Sequence, residues 1–372
     1  MSADPLKDIR LQEYTLDNLP LLARLRKGLL HTRPAVCIER ARHVTKYLRD
    51  MSREDEPMMT RYAGAVAHFL KEKQAFFFDD NLLAGTTCAK PFGAPVYPEW
   101  TGMTIWPELE VINTREKNPQ QLTAAEADEL NFEIYPYWMD RNVLEVTRKR
   151  HHNPPCMRLF ERIVFFIGSK AGTISHTVPY YELALEKGVA YIIAQAALKE
   201  ASLKAQGPLN DEQSRSLQFY QAVQTALEGV LAYARRLSER AAELAQQERH
   251  PLRKANFEQM AAVCARVPAQ PARTFREAIN ALWIIQVAIH AENINMAMSP
   301  GRLDQILYPY YRADMASGGL TIPQALELIG CLWLKLNDNT NLVPETAEEL
   351  FGGAGTVPAV TLGGVTAKGE DA

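Results

Sequence analysis

The sequence lacks an apolar run of membrane-spanning length. Its best stretch, Ala278 to Ile289, falls short of the roughly 20 residues a bilayer span needs and contains Asn280 and Gln286. It starts Met1-Ser2-Ala3-Asp4-Pro5, with no apolar leader, so the expectation is a cytoplasmic protein with no membrane partner. No charge of one sign dominates. The 41 Lys+Arg against 44 Asp+Glu leave a net charge of −3, which provides no basic surface for nucleic acid. Cysteine is sparse: Cys37, Cys88, Cys156, Cys264 and Cys331 are scattered singly, which excludes a disulfide scaffold and suits a reducing compartment. The short motifs of metal, nucleotide and acyl-transfer chemistry are missing too. There is no Cys-x-x-Cys, no His-Glu-x-x-His, no Gly-x-Gly-x-x-Gly, no Walker-type loop and no Gly-x-Ser-x-Gly elbow. His151-His152 with Cys156 is the nearest approach to a metal cluster, and Arg148-Lys149-Arg150 beside it opposes a cation. No metal site is expected.

What is present is a chain 47% hydrophobic, long enough for a large core. The first ~75 residues read as helices, one opening at Cys37 and running to Leu48, another from Arg61 to Phe69. From Asn81 to Tyr137 prolines (Pro91, Pro95, Pro98, Pro107, Pro136) break any single element. Dense aromatics there, among them Tyr97, Trp100, Trp106 and Tyr135, demand burial, so this stretch reads as an irregular segment pinned to the core. Arg162 to Gly168 is a short apolar run with the pattern of a buried strand, and a helix is expected from near Pro179 toward Leu185. Phe219, Val223, Leu227, Val230, Ala234, Leu237, Ala241 and Leu244 recur at helical spacing and predict one apolar face. Thr274-Phe275-Arg276-Glu277 fits a capping box, and the helix it opens is apolar nearly all round, so it belongs deep inside. Thr321-Ile322-Pro323-Gln324 opens another helix, and Val357 to Leu362 reads as a strand between glycines.

Few residues carry chemistry on their own pattern. Cys37-Ile38-Glu39 suggests a thiol beside a base, but on a helix such neighbours face apart, and a buried structural thiol is the simpler expectation. His176 follows the apolar strand in a loop with Ser175 and Thr177, where a histidine either satisfies the backbone or meets a polar substrate group. Asn295 to Gln305 turns sharply out of the buried helix through Pro300-Gly301, with Arg302 and Asp304 suited to hold that turn.

Taken together, these pieces resemble a known family. Met298-Ser299-Pro300-Gly301-Arg302-Leu303-Asp304-Gln305, followed by Leu307-Tyr308-Pro309-Tyr310-Tyr311, is similar to a signature of glycyl radical enzymes, a family that includes pyruvate formate-lyase and the glycerol dehydratases. Cys37 to Ala41, Gln270 to Phe275, Leu332 to Lys335 and Thr361 to Gly364 agree in the same order, so the resemblance covers nearly the whole chain from about residue 30.

The resemblance implies an α/β fold: a ten-stranded glycyl-radical-enzyme barrel, here incomplete, with a predominantly helical exterior. It implies residues 1–30 as an N-terminal extension and 31–372 as a pyruvate formate-lyase-like domain cut before the catalytic cysteine. In the family a glycyl radical passes to a cysteine, whose thiyl abstracts a substrate hydrogen. The thiyl Gly-Cys-x-Glu and an Arg-Val-x-Gly-Tyr-like radical loop do not occur in these residues, so no catalytic residue is expected here. The resemblance makes the chain the N-terminal part of a lyase or formate C-acetyltransferase-like enzyme, inactive alone, with a truncated remnant or partner subunit as the alternative. It implies a small-molecule substrate, a homodimer at full length, and an activating enzyme that uses S-adenosylmethionine and an iron–sulfur cluster to install the radical. No cofactor is expected on this chain itself. The substrate-contacting positions it implies are His176, Met296 and Ala297, the last two standing where polyol-handling relatives have a polar pair, which leans the substrate toward a less polar or aromatic one.

Overall fold

The computed structural model describes residues 13–77, 80–100, 102–150, 154–155, 158, 177–293, 297–351, 358–365 and 368–370. The expected strand at 162–168 and the trio His151, His152 and Cys156 lie outside them. The chain opens with α1 (Pro20–His31), begun by a proline whose missing N–H costs nothing in a first turn. β1 (Ala35–Cys37) and α2 (Glu39–Leu48) follow. The helix expected from Cys37 thus starts two residues later. The preceding three residues pair in parallel with β2 (Gly93–Pro95), Val36 opposite Ala94, because Val36 N–H finds a partner in the Gln121 carbonyl at 2.9 Å rather than in a helix. Single parallel bridges to Gln121 and Asn339 widen this ladder. Both strands are buried throughout.

Between β1 and β2 comes α3 (Met58–Glu72). After β2 the proline-rich stretch forms tight turns, then α4 (Ala124–Glu129), α5 (Tyr135–Trp138) and α6 (Val143–Arg150). Most of its aromatics are pinned: Tyr97 and Tyr135 are buried, and the Trp138 indole donates to Thr45 Oγ1 at 2.8 Å, whereas Phe132 of the same stretch is 71% exposed. α7 (Tyr181–Lys187) and α8 (Val189–Lys204) lead to the long α9 (Asp211–Gln247), whose N-cap Asn210 and Gln213 satisfy each other's backbone N–H groups. α9 packs on α3 and on α10 (Pro251–Arg266), burying Val230, Ala234, Leu237 and Ala241. Phe219, assigned by its spacing to the same apolar face, is 52% exposed. At that end α9 lies against α8, where Gln221 and Gln224 bond the Glu200 carboxylate.

α11 (Phe275–Glu292) is the axis of the molecule. Thr274 Oγ1 accepts from the Glu277 N–H at 3.2 Å, but the Glu277 carboxylate takes the N–H and guanidinium of Arg273 instead of completing the box. Ala278, Ile279, Leu282, Trp283, Ile284 and Val287 are buried, at about 1.5–3 kcal/mol for each large side chain. β3 (Gly301–Arg302), α12 (Leu303–Ser317), α13 (Ile322–Lys335), α14 (Glu345–Phe351) and β4 (Val360–Thr361) complete the order, with β3 and β4 paired in parallel. At the start of α13 the Gln324 side chain accepts from the Thr321 N–H, as its spacing predicts. The described strands are all short and parallel under a helical exterior, a helix-rich α/β fold. Among the described residues no helix is long and apolar enough to cross a membrane.

Close approach of α9 to α3 depends on Gly229. A Cβ there would sit 2.7 Å from the Ala67 Cα, a backbone atom that cannot swing aside. A helical Gly→Ala change ordinarily gains about 1 kcal/mol, whereas overpacking costs about 1–3 kcal/mol. Gly229→Ala is therefore expected to lower the melting temperature; an unchanged or raised value in a thermal scan would contradict this packing.

Candidate functional site

The candidate site forms where α11 ends. The amide of Gln286, 1% exposed inside the apolar helix, accepts the Tyr181 hydroxyl and donates to the Met298 carbonyl at 2.7 Å. It therefore binds the segment after α11 to the first residue of α7. Ser299 N–H donates to the Thr177 carbonyl at 3.2 Å, and Thr177 Oγ1 approaches the Met298 sulfur at 3.6 Å. Ala297 is buried with φ of +50°, a left-handed conformation that a non-glycine residue holds only where its surroundings enforce it. Gly301, at φ +76°, lets the chain pass where a Cβ would lie 2.6 Å from Val178 Cγ1.

A third segment closes the arrangement. Arg302 and Asp304 form a two-bonded ion pair at 2.9 and 2.7 Å, and Asp304 Oδ2 also accepts from the Gly363 N–H at 3.1 Å. Arg302 beside it holds the Asp304 carboxyl below the usual range. Arg302 and Gln305 donate to the Val365 carbonyl, and Ser299 Oγ accepts from Ala359 N–H at 2.9 Å. Arg302 and Asp304 thus hold the turn, as their position after Pro300-Gly301 suggests. Residues 177–181, 297–305 and 359–365, far apart in sequence, meet here.

Of the three residues expected to contact substrate, Ala297 lies in this arrangement; His176 and Met296 fall outside the described residues, as neighbours in sequence of Thr177 and Ala297. Cys37 is buried at the end of β1, not on a helix. Its sulfur accepts from the Ala89 N–H at 3.4 Å, and hydrogen bonding with Cys88 draws its thiol below the ordinary value. Among the described residues no three His, Cys, Asp or Glu side chains gather as a metal site would require.

Sequence reasoning missed the groups that anchor α11's last turn. Arg40 Nε, on α2, donates to the Ala291 carbonyl at 2.8 Å and its Nη2 pairs with Glu99 at 2.5 Å, while the Tyr62 hydroxyl donates to the Glu292 carbonyl at 2.6 Å. Tyr97 donates to the His290 carbonyl at 2.7 Å. The signal available was a charged pair, Glu39-Arg40, directly beside an apolar strand. Both are buried, and Glu39 bonds the fully buried Lys73 ammonium at 3.2 Å.

Residues 18–372 match the model of the family described as pyruvate formate lyase-like. The chain belongs to that family. It is 31% identical to an isethionate sulfite-lyase of Nitratidesulfovibrio vulgaris over 352 residues, 92% of this chain and 42% of the relative. It is 28% identical to a (2S)-3-sulfopropanediol dehydratase of Klebsiella oxytoca, covering 95% of this chain and 43% of that protein. A solved glycyl radical enzyme from Archaeoglobus fulgidus superposes with a TM-score of 0.86 at 30% identity, over 94% of this chain and 44% of that one. The chain spans about two fifths of the length of the curated relatives it matches, in keeping with its reading as the N-terminal part of such an enzyme.

His290 makes the end of α11 sensitive to acid. Burial pushes its imidazole from about 6.5 down to about 4, so the unfolded chain binds the proton more tightly. The stability carried by the neutral ring is complete above pH 6.5 and is lost as pH falls toward 4, up to about 3 kcal/mol. Urea titrations at pH 6.5 and 4.5 should show a smaller loss for His290→Phe than for the parent; equal losses would remove His290 from the account.

Proposed function

We propose that this chain is the N-terminal, substrate-side portion of a glycyl radical lyase acting on a small organic molecule by thiyl-radical hydrogen abstraction. The observation that carries the reading is the meeting of residues 177–181, 297–305 and 359–365. The second and third carry motifs that resemble the family's, and all three form one hydrogen-bonded unit at the end of a buried helix. The proposed contacts are His176, Met296 and Ala297. Ala297 offers only a methyl group, so a substrate hydroxyl would be recognised by other residues. Val178, Tyr180, Leu362 and Val365 stand exposed in this chain, so in this reading the C-terminal portion covers them and keeps water away from a reactive open-shell centre.

Relatives named as an isethionate sulfite-lyase, a sulfopropanediol dehydratase and a trans-4-hydroxy-L-proline dehydratase support elimination over formyl or acetyl transfer. In this reading residues 31–372 form the pyruvate formate-lyase-like domain, with 1–30 its extension. A complementary C-terminal portion supplies the remaining barrel strands, the thiol and the radical glycine. The whole enzyme is a cytoplasmic homodimer charged by an activating enzyme that uses S-adenosylmethionine and an iron–sulfur cluster.

Anaerobic incubation with an activating enzyme and S-adenosylmethionine, followed by electron paramagnetic resonance, tests this division. The 372-residue chain alone should stay silent, and a glycyl radical signal should arise when the C-terminal portion of the same enzyme is added. A radical on the 372-residue chain by itself would overturn it.

A further inference from the structure

A cavity of about 380 Å³ lies away from the loops just described, between the end of α2, the start of α3, α5 and α6. Its floor is apolar and aromatic, formed by Leu48, Trp100, Tyr137, Trp138, Val143 and Val146. Glu99 lies in its wall at 7% exposure. One carboxylate oxygen, Oε1, accepts from Arg40 at 2.5 Å and lies 2.9 Å from the Tyr62 hydroxyl oxygen, whereas Oε2 is buried with no hydrogen-bond partner. A carboxyl group paired with Arg40 that leaves one oxygen unused offers that oxygen as an acceptor, since burying such an atom unpaired costs about 1–3 kcal/mol or more.

The rest of the lining has the opposite character. Arg61, Arg141 and Arg150 face the cavity against Glu54, the other carboxylate of the lining. Arg61 is tied to the Leu48 carbonyl through Nη2 at 2.8 Å, and its Nε is buried without a partner. Arg141 lies over the Tyr137 ring at 4.9 Å; its Nη1 pairs with Asp140 on the surface at 2.5 Å, and the rest of its guanidinium fork is the part a flat anion would meet.

We propose that this cavity is a binding site for a small amphiphilic anion, a carboxylate joined through an aromatic or apolar body to a hydroxyl group. The hydroxyl donates to Glu99 Oε2, the body lies on Trp100 and Tyr137, and the carboxylate meets the arginines. The three demands come from three different features of the cavity, and a simple inorganic anion or a plain hydrocarbon satisfies one of them at most. The site is separate from the segments around Ala297 and does not depend on their proposed role.

Calorimetric titration of the 372-residue chain tests it with 3-(4-hydroxyphenyl)propionate as the probe. Saturable binding is expected, about tenfold weaker for 3-phenylpropionate, which lacks the hydroxyl. Arg141 and Arg150 are exposed, so Arg141→Gln/Arg150→Gln should melt as the parent does. That double variant should bind the probe about tenfold more weakly while leaving its affinity for 4-ethylphenol unchanged. Absence of saturable binding, equal affinity for the two propionates, or an unaltered affinity in the double variant would each overturn the proposal.

Discussion

A single buried amide does more to organise this molecule than any of its charged motifs. α11 is apolar on nearly every side, and such a helix must be surrounded by core. Asn280 and Gln286 are the buried polar residues of its middle turns, and each is fully used. Asn280 accepts from the Ala84 N–H at 3.1 Å and donates to the Arg276 carbonyl at 3.0 Å; Gln286 joins Tyr181 to the Met298 backbone. In a low-dielectric interior an amide with missing partners is costly, so these two side chains admit one register of the surrounding segments and penalise the others. The helix is at once the core and the ruler against which the irregular segments are set.

Buried charges follow the same logic. Arg40 with Glu99, Lys73 with Glu39, and Arg115 with Glu348 are pairs almost without solvent contact. Such pairs add little net stability over apolar replacements, yet losing one partner costs about 3–5 kcal/mol. Their effect here is positional. Glu39 also accepts the Gln74 N–H, and Arg40 binds the carbonyls that end α11, so the adjacent residues of one motif tie α2 to the end of α3 and to the axis helix. Lys335, pushed below its usual value by burial, donates to the Gly85 carbonyl at 2.6 Å beside Trp283, whose indole shares that acceptor.

Much of this was legible before any coordinates. Periodicity located α9, a capping signal and an unbroken apolar run located α11, and turn residues marked the bend at Pro300-Gly301. The aromatic density of 81–138 required a pinned, irregular segment. What periodicity could not supply was partnership. Cys37 reads as helical because good helix formers follow it, but the strand is decided by Gly93–Pro95, more than fifty residues away. Phe219 keeps perfect spacing with Leu237, yet it stands half exposed at the end of α9 that lies against α8. Likewise Glu277 has the spacing of a capping box and is captured by Arg273, a competitor that the motif does not contain. The candidate site was legible as separate motifs; their convergence was not, because hydrogen bonds such as Ser299 to Thr177 and Gly363 to Asp304 join residues that no local pattern connects.

Gln286 holds the turn after α11 against the first residue of α7, and so sets the Thr177 segment that leads into it. Hydrogen–deuterium exchange at the Ser299 amide reads this directly, because that N–H is the bond between the two segments. The account predicts protection in the parent protein and a loss of about tenfold or more in Gln286→Leu, with cooperative unfolding retained. Rapid, unprotected exchange at Ser299 in the parent, or protection undiminished in the variant, would contradict it.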